Sequence, residues 1–106
     1  MKRFAAQYLN SKSYLILQHK LFVKEFKKIP PEKRTRFKNI ILSIQDNAVI
    51  LPPNTTSLTG YPHIFRTRVG NYRLIYSVDH DSREVKLLGV GSRGTVYHLM
   101  DRLMKR

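Results

Sequence analysis

Residues 63–76 read HIFRTRVGNYRLIY. Ile64, Arg66 and Arg68 alternate with Phe65, Thr67 and Val69, so a strand here turns its arginines to one face and Phe65 and Val69 to the other. Gly70-Asn71 is a turn signal. Beyond it, Arg73, Ile75 and Ser77 alternate with Leu74, Tyr76 and Val78, and a second strand is sorted in the same way. Paired as a hairpin, the two strands place Arg66, Arg68 and Arg73 on one exposed surface.

Working outward from this hairpin, DHDS (79–82) reads as a turn and EVKLLGVG (84–91) as a third strand of the series. Arg93 stands just past that strand, and Val96, Leu99, Met100 and Leu103 then recur at the spacing of a short C-terminal helix. Upstream, residues 47–62 are punctuated by Pro52, Pro53, Gly60 and Pro62 and read as loop. Before them, Phe37, Ile40, Ile41 and Ile44 predict a helix ending near Asp46, opened by Pro30-Pro31, because proline suits a first turn and breaks an interior. HKLFVKEFKKI (19–29) predicts another amphipathic helix, with Leu21, Phe22, Phe26 and Ile29 set among four lysines. SYLILQ (13–18) is a β-favouring run.

The expected order is therefore β-α-α-β-β-β-α. This is an α+β class fold, a small and mostly antiparallel β-sheet with a helical hairpin on one face. Helices are expected to cover the apolar face and leave the other to solvent or ligand. Residues 1–12 are expected to form a flexible or weakly helical arm, and residues 13–106 a single domain, which suits a chain of 106 residues.

Charge narrows the function. Twenty Lys and Arg stand against seven Asp and Glu, a formal charge of +13, which points to a polyanionic partner and first to nucleic acid. With no cysteine, a disulfide framework and a thiolate metal site are excluded, and a reducing cytoplasm is the expected location. No run is long and apolar enough to cross a bilayer, and the N-terminus lacks the apolar stretch of a secretory signal, so no membrane is expected. No histidine pair has metal-ligand spacing with carboxylate support, and neither a Gly-rich phosphate loop nor a nucleophile elbow occurs, so no metal or cofactor is expected. Between residues 63 and 93 the acids are Asp79, Asp81 and Glu84, all near one turn, which cannot neutralise four separated guanidiniums. Crowded like charges across strands are unfavourable unless an anion meets them. Arginine presents a planar donor fork to phosphate and stays charged at physiological pH. The alternative is an ordinary solvated basic face.

LTGYPHIFRTRVGNYRLIYSV followed by VKLLGVGSRGTVYHL resembles the RelE/ParE toxin superfamily, in particular its RelE-type messenger-RNA endonucleases. The likeness spans Tyr14 to Leu103 in element order and is most specific between Leu58 and Tyr97. It lies in a Leu-x-Gly turn (Leu58, Gly60), two basic residues at alternate strand positions (Arg66, Arg68), and a Gly-x-Tyr-Arg-x-x-Tyr hairpin from Gly70 to Tyr76 containing Arg73. A Val-Gly-x-Arg run (Val90, Gly91, Arg93) and a Val-Tyr pair (Val96, Tyr97) complete it.

The resemblance implies a RelE-like, microbial ribonuclease-type fold and a metal-independent endoribonuclease, the toxin of a type II toxin-antitoxin system. Such an enzyme cuts messenger RNA in the ribosomal A site by attack of the RNA's own 2′-hydroxyl on the adjacent phosphorus. It implies roles for Arg73 in stabilising the phosphoryl charge, for Arg66 and Arg68 in positioning the backbone, for Arg93 at the leaving side, and for Tyr97 in stacking on a base or orienting the hydroxyl; the alternative for Tyr97 is core packing. This sequence departs from RelE, which carries lysines where Arg66 and Arg68 stand, and arginine does not serve as a base. His98, beside Tyr97, is the best placed histidine for that task, against the alternative of a lone surface histidine. His63 shares parity with Phe65 and should face the helices. The resemblance further implies the ribosome and a cognate antitoxin as partners, the latter a disordered acidic peptide folding around the toxin into a hetero-oligomer, with Leu99, Met100 and Leu103 near its docking surface; the alternative is ordinary core packing, which is the expectation for Val96 and Leu99. A ParE-type inhibitor of DNA gyrase and a non-catalytic RNA-binding module are the competing functions.

Overall fold

The computed structural model describes residues 2–3 and 13–104. Its elements are β1 (Lys2–Arg3), β2 (Leu15–Gln18), α1 (Lys20–Phe26), α2 (Pro31–Asp46), β3 (Thr55–Leu58), β4 (Tyr61–Val69), β5 (Tyr72–Asp79), β6 (Glu84–Ser92) and α3 (Arg93–Met104). The strands form one sheet in the order β1-β2-β6-β5-β4-β3. All neighbours are antiparallel except β2 and β6, which run parallel, with Ile16 opposite Val85 and Gln18 opposite Leu87. A parallel neighbour needs a crossover, and α1, α2 and the β3–β5 strands supply it.

The α1–α2 hairpin covers one face. Phe22, Phe37, Ile41 and Ile44 pack there against Ile16, Leu74, Tyr76, Val85, Leu87 and Val90 in the main core. Each large apolar side chain fully buried there contributes about 1.5–3 kcal/mol. A bulge in β6 makes this face continuous: the pairing steps from Ile75–Gly89 to Tyr76–Leu87, leaving Leu88 as the extra residue. Without that insertion Val85 and Leu87 would point to the opposite face, since one residue of slip inverts every side chain of a strand.

Two expectations are corrected. The stretch 47–62, read as loop, contains β3, which pairs antiparallel with β4, Thr55 opposite Thr67 and Thr56 opposite Arg66. Three polar residues and Leu58, hemmed in by Pro52, Pro53 and Gly60, make a short edge strand, the place where such sequence is tolerated. The helices also do not share one face. On the arginine side of the sheet α3 packs over Ile75, and Val96 and Met100 form with it a second, smaller core, flanked by Leu58, Ile64, Leu88, Tyr97 and Leu103. Gly89 and Gly91 lie beneath the helix, where a Cβ at Gly91 would stand 3.4 Å from Thr95 Cγ2 and one at Gly89 3.8 Å from Leu99 Cδ1, both ordinary contact distances. Of the arm expected at residues 1–12, Lys2–Arg3 pair with Leu17–Gln18 as β1, and the remainder lies outside the described residues.

Local chemistry fixes the joints. Pro30 and Pro31 open α2 as expected, and Glu32 lies in its first turn, favourable to the helix dipole. At α1 the cap is His19, whose Nδ1 accepts a hydrogen bond from the Leu21 N–H at 3.1 Å. Burial, and then the neighbouring Lys20, holds the His19 pKa below the ordinary 6.5. The native state therefore favours neutral His19. Its stabilising contribution is complete above pH 6.5 and declines as acid takes the solution through the lower native pKa, because the unfolded chain binds the proton first. Urea unfolding at pH 7.5 and pH 5 should show wild type losing more stability than His19→Asn, which keeps a cap acceptor and does not titrate; equal losses would remove His19 from the account.

Candidate functional site

In the β4–β5 hairpin Arg68 lies directly opposite Arg73, and Arg66 opposite Ile75. Directly opposed residues have Cβ atoms about 4.5–5.5 Å apart, so this register sets the stems of two arginines side by side. Gly70, with φ of +59°, makes the tight turn that fixes the register. Arg73 is half-buried, and its Nη1 donates to the Gly70 and Tyr72 carbonyls, both at 3.1 Å, anchoring the side chain, while its other nitrogens meet no acceptor among the described residues. Arg66 is held from two sides: Nη1 donates to the Tyr97 hydroxyl at 2.6 Å and Nη2 to Thr56 Oγ1 at 3.3 Å. Arg68 is exposed. Arg93 opens α3, also exposed, and its N–H donates to the Asn71 carbonyl at 3.2 Å, which ties the start of the helix to the β4–β5 turn. The α3 N-terminus, with its positive dipole end, thus lies at the end of the sheet that carries Arg68 and Arg73.

No carboxylate pairs with Arg66, Arg68, Arg73 or Arg93 among the described residues. The nearby acids in sequence are engaged elsewhere. Asp79 Oδ1 accepts from the Asp81 and Ser82 N–H groups, and Ser82 Oγ donates to Glu84 Oε1 at 3.3 Å. The Ser82 backbone bond is the main reason the Asp79 carboxyl lies below its usual range. These acids sit at the far end of β5, roughly 20 Å from Arg73 at the rise of a strand, beyond the roughly 8–10 Å over which exposed charges act in physiological salt.

Tyr97 is partly core-packed, as its alternative reading expects: its ring borders the Ile75 cluster, and its hydroxyl accepts a hydrogen bond from Arg66. His98 is exposed on α3 and makes no hydrogen bond among the described residues. His63 is exposed, against the expectation that it faces the helices: its parity is right, but it lies at the start of β4 in an open groove with Val78, Asp79 and His80, beyond the cover of α1 and α2. His80 Nδ1 instead contacts the Tyr14 hydroxyl at 2.7 Å. Burial raises the Tyr76 phenol to about 12, so it stays neutral, as befits a core residue stacked on Phe65. Among the described residues no group of three His, Cys, Asp or Glu is placed to hold a metal ion.

Two residues join the site that the sequence did not single out. Thr56, in the strand hidden by the prolines, is a partner of Arg66. Lys33 on α2 reaches the β4–β5 turn, its Nζ 3.1 Å from where a Cβ of Gly70 would stand. Nothing in the local sequence marks Lys33; its place depends on how α2 crosses the sheet.

A family model described as the ParE toxin of type II toxin-antitoxin system, parDE, matches residues 16–97. Toxin RelE3 of Methanocaldococcus jannaschii is 36% identical over 69 residues, 63% of this chain and 78% of the relative. Among solved structures, the RelB-RelE antitoxin-toxin complex from Methanococcus jannaschii matches with a TM-score of 0.64 at 33% identity, over 76% of this chain and 94% of that one. The archaeal RelE-RelB complex from Pyrococcus horikoshii OT3 gives 0.65 at 28% identity, over 77% and 97%. The match runs from β2 into α3 and takes in the whole arginine face, and on it the chain belongs to the ParE toxin family of type II toxin-antitoxin systems, within the RelE/ParE superfamily.

Proposed function

We propose that this chain acts as a ribosome-dependent endoribonuclease on translated messenger RNA. The observation that carries the reading is the grouping of Arg66, Arg68 and Arg73 on one sheet face with no carboxylate paired to them among the described residues. In the proposed reaction the RNA's 2′-oxygen bonds to the adjacent phosphorus and the bond to the 5′-oxygen breaks. The hydroxyl proton passes to a base and the leaving oxygen gains one, giving a 2′,3′-cyclic phosphate and a 5′-hydroxyl end. Charge grows on the phosphoryl oxygens as this happens, and fixed guanidiniums aimed there stabilise the transition state. Arg73, anchored to its own turn, takes that role; Arg66 and Arg68 hold the backbone, and Arg93 lies at the leaving side. Ordering of the message by the ribosome supplies the alignment that a shallow, open face does not. An antitoxin partner is supported by the relatives solved with RelB; an acidic one would suit the charge of +13, and the proposed substrate would put the chain in the cytoplasm.

The name of the matching family favours a second reading, inhibition of DNA gyrase. That activity does not require Arg66, Arg73, Arg93 and Tyr97 as a set, whereas phosphoryl transfer uses each of them. Message ends mapped in a translating extract decide between the two. Cuts within codons are expected, with free RNA cut poorly; loss of supercoiling without new ends would replace the nuclease by the gyrase inhibitor.

A further inference from the structure

Beside the arginine face, the β3–β4 turn and α3 border an open groove of about 260 Å³ lined by Leu58, Thr59, Tyr61, Tyr97, Met100 and Asp101. Leu58 and Tyr61 are direct partners across the turn. Tyr97 and Asp101 lie four residues apart on α3 and so share a helix face. Tyr61 is 45% exposed, a large aromatic surface left open to solvent. Tyr97 connects the groove to the arginines, because the hydroxyl of this groove-lining side chain is the one that meets Arg66 at 2.6 Å. A strand whose phosphate rests on Arg66 therefore carries a base within reach of the groove.

Asp101 is the unexpected member. It is exposed and makes no hydrogen bond or ion pair among the described residues. A carboxylate next to a phosphate-binding face repels the backbone it should attract, so its presence there is a cost unless donors from the ligand meet it. Nucleobases supply such donors. Guanine offers two parallel ones, N1–H and the N2 amino group, which match the two carboxylate oxygens as a fork matches a fork. Uracil offers one, while adenine and cytosine set an acceptor beside their amino group and turn it against the carboxylate.

We propose that this groove is a nucleobase subsite selective for guanine, with Tyr61 and Tyr97 providing aromatic surface for the ring, Leu58 and Met100 its apolar floor, and Asp101 the acceptor of its Watson–Crick edge. The inference rests on the arginine face binding RNA phosphate and deepens that reading by naming a base preference. Stacking on aromatic side chains is how single-stranded RNA bases are held, and a good two-bond contact discriminates strongly between bases.

The test titrates the folded protein with guanosine 3′-monophosphate and, separately, uridine 3′-monophosphate, following the ring signals of Tyr61 and Tyr97 by NMR. Guanosine monophosphate is expected to bind about tenfold more tightly, the range of a bidentate base contact. Asp101→Asn should abolish the preference while keeping the affinity for the uridine nucleotide, and Tyr61→Ala should weaken both. Equal affinities in wild type, or a preference untouched by Asp101→Asn, overturns the subsite. Message mapping separates this from the nuclease reading: a guanine preference without cleavage keeps the subsite and removes the nuclease, and cleavage without any preference does the reverse.

Discussion

Replacing Arg73 by alanine is expected to lower message cleavage about 10²- to 10³-fold, the loss typical when one donor aimed at a developing oxyanion is removed. The fold should survive. Arg73 is half-buried and its hydrogen bonds run to the Gly70 and Tyr72 carbonyls, beside an exposed turn residue, so water can replace the donor at Gly70 once the side chain is gone. Relief of the crowding with Arg68 directly opposite offsets part of the loss. Lysine at this position should recover only part of the rate, because a compact ammonium keeps the charge but not the planar fork. Cleavage assays in translating extract, alongside antitoxin binding and thermal unfolding of the same preparations, check the expectation. Full-rate cleavage by Arg73→Ala would take the residue out of the site and leave the phosphoryl charge to Arg66 and Arg68.

The second large effect concerns Ile75, fully buried beneath α3 in contact with the Val96 and Met100 cluster. Truncating a buried isoleucine to alanine costs about 2–5 kcal/mol, the lost transfer energy plus the cavity left behind. The penalty should be local. The main core lies on the other side of the sheet and shares no buried residue with the cluster that holds α3. In Ile75→Ala, hydrogen exchange should therefore accelerate through residues 93–104 while α1, α2 and the central strands stay protected. Cleavage should fall too, since a loosened helix carries Tyr97 away from Arg66. Uniform acceleration along the whole chain would mean that the two cores melt as one.

The hairpin and its arginines were legible because a strand's period of two is written directly into residues 64–69 and 73–78, and Gly70-Asn71 punctuates it. The α1–α2 pair was equally plain from its apolar spacing and the prolines between. By contrast, β3 was not legible: three polar residues and a single leucine after two prolines carry no apolar alternation, and an edge strand needs none. Nor was the side chosen by α3. Helical spacing reveals which stripe of a helix is apolar, not which sheet face receives it. Glycine at the alternate positions 89 and 91 lies beneath the helix but leaves room for a Cβ at ordinary contact distance, so it does not dictate the side either. Thr56, Lys33 and the Tyr61–Asp101 groove owe their places to tertiary crossing alone, and no local pattern encodes them.

The sheet order has a bearing on how the molecule comes into being. Its last-made strand, β6, lies between β2 and β5 and is the parallel partner of one of the earliest. During vectorial synthesis Leu15 must wait some seventy residues for Glu84 to emerge, so β2 cannot join the β3–β5 strands in one sheet while the chain is still short. Even then Arg66 lacks Tyr97 until α3 follows. The contact between Arg66 and Tyr97 is therefore among the last to form, whereas the β4–β5 hairpin with Arg68 opposite Arg73 can pair as soon as its own residues are made.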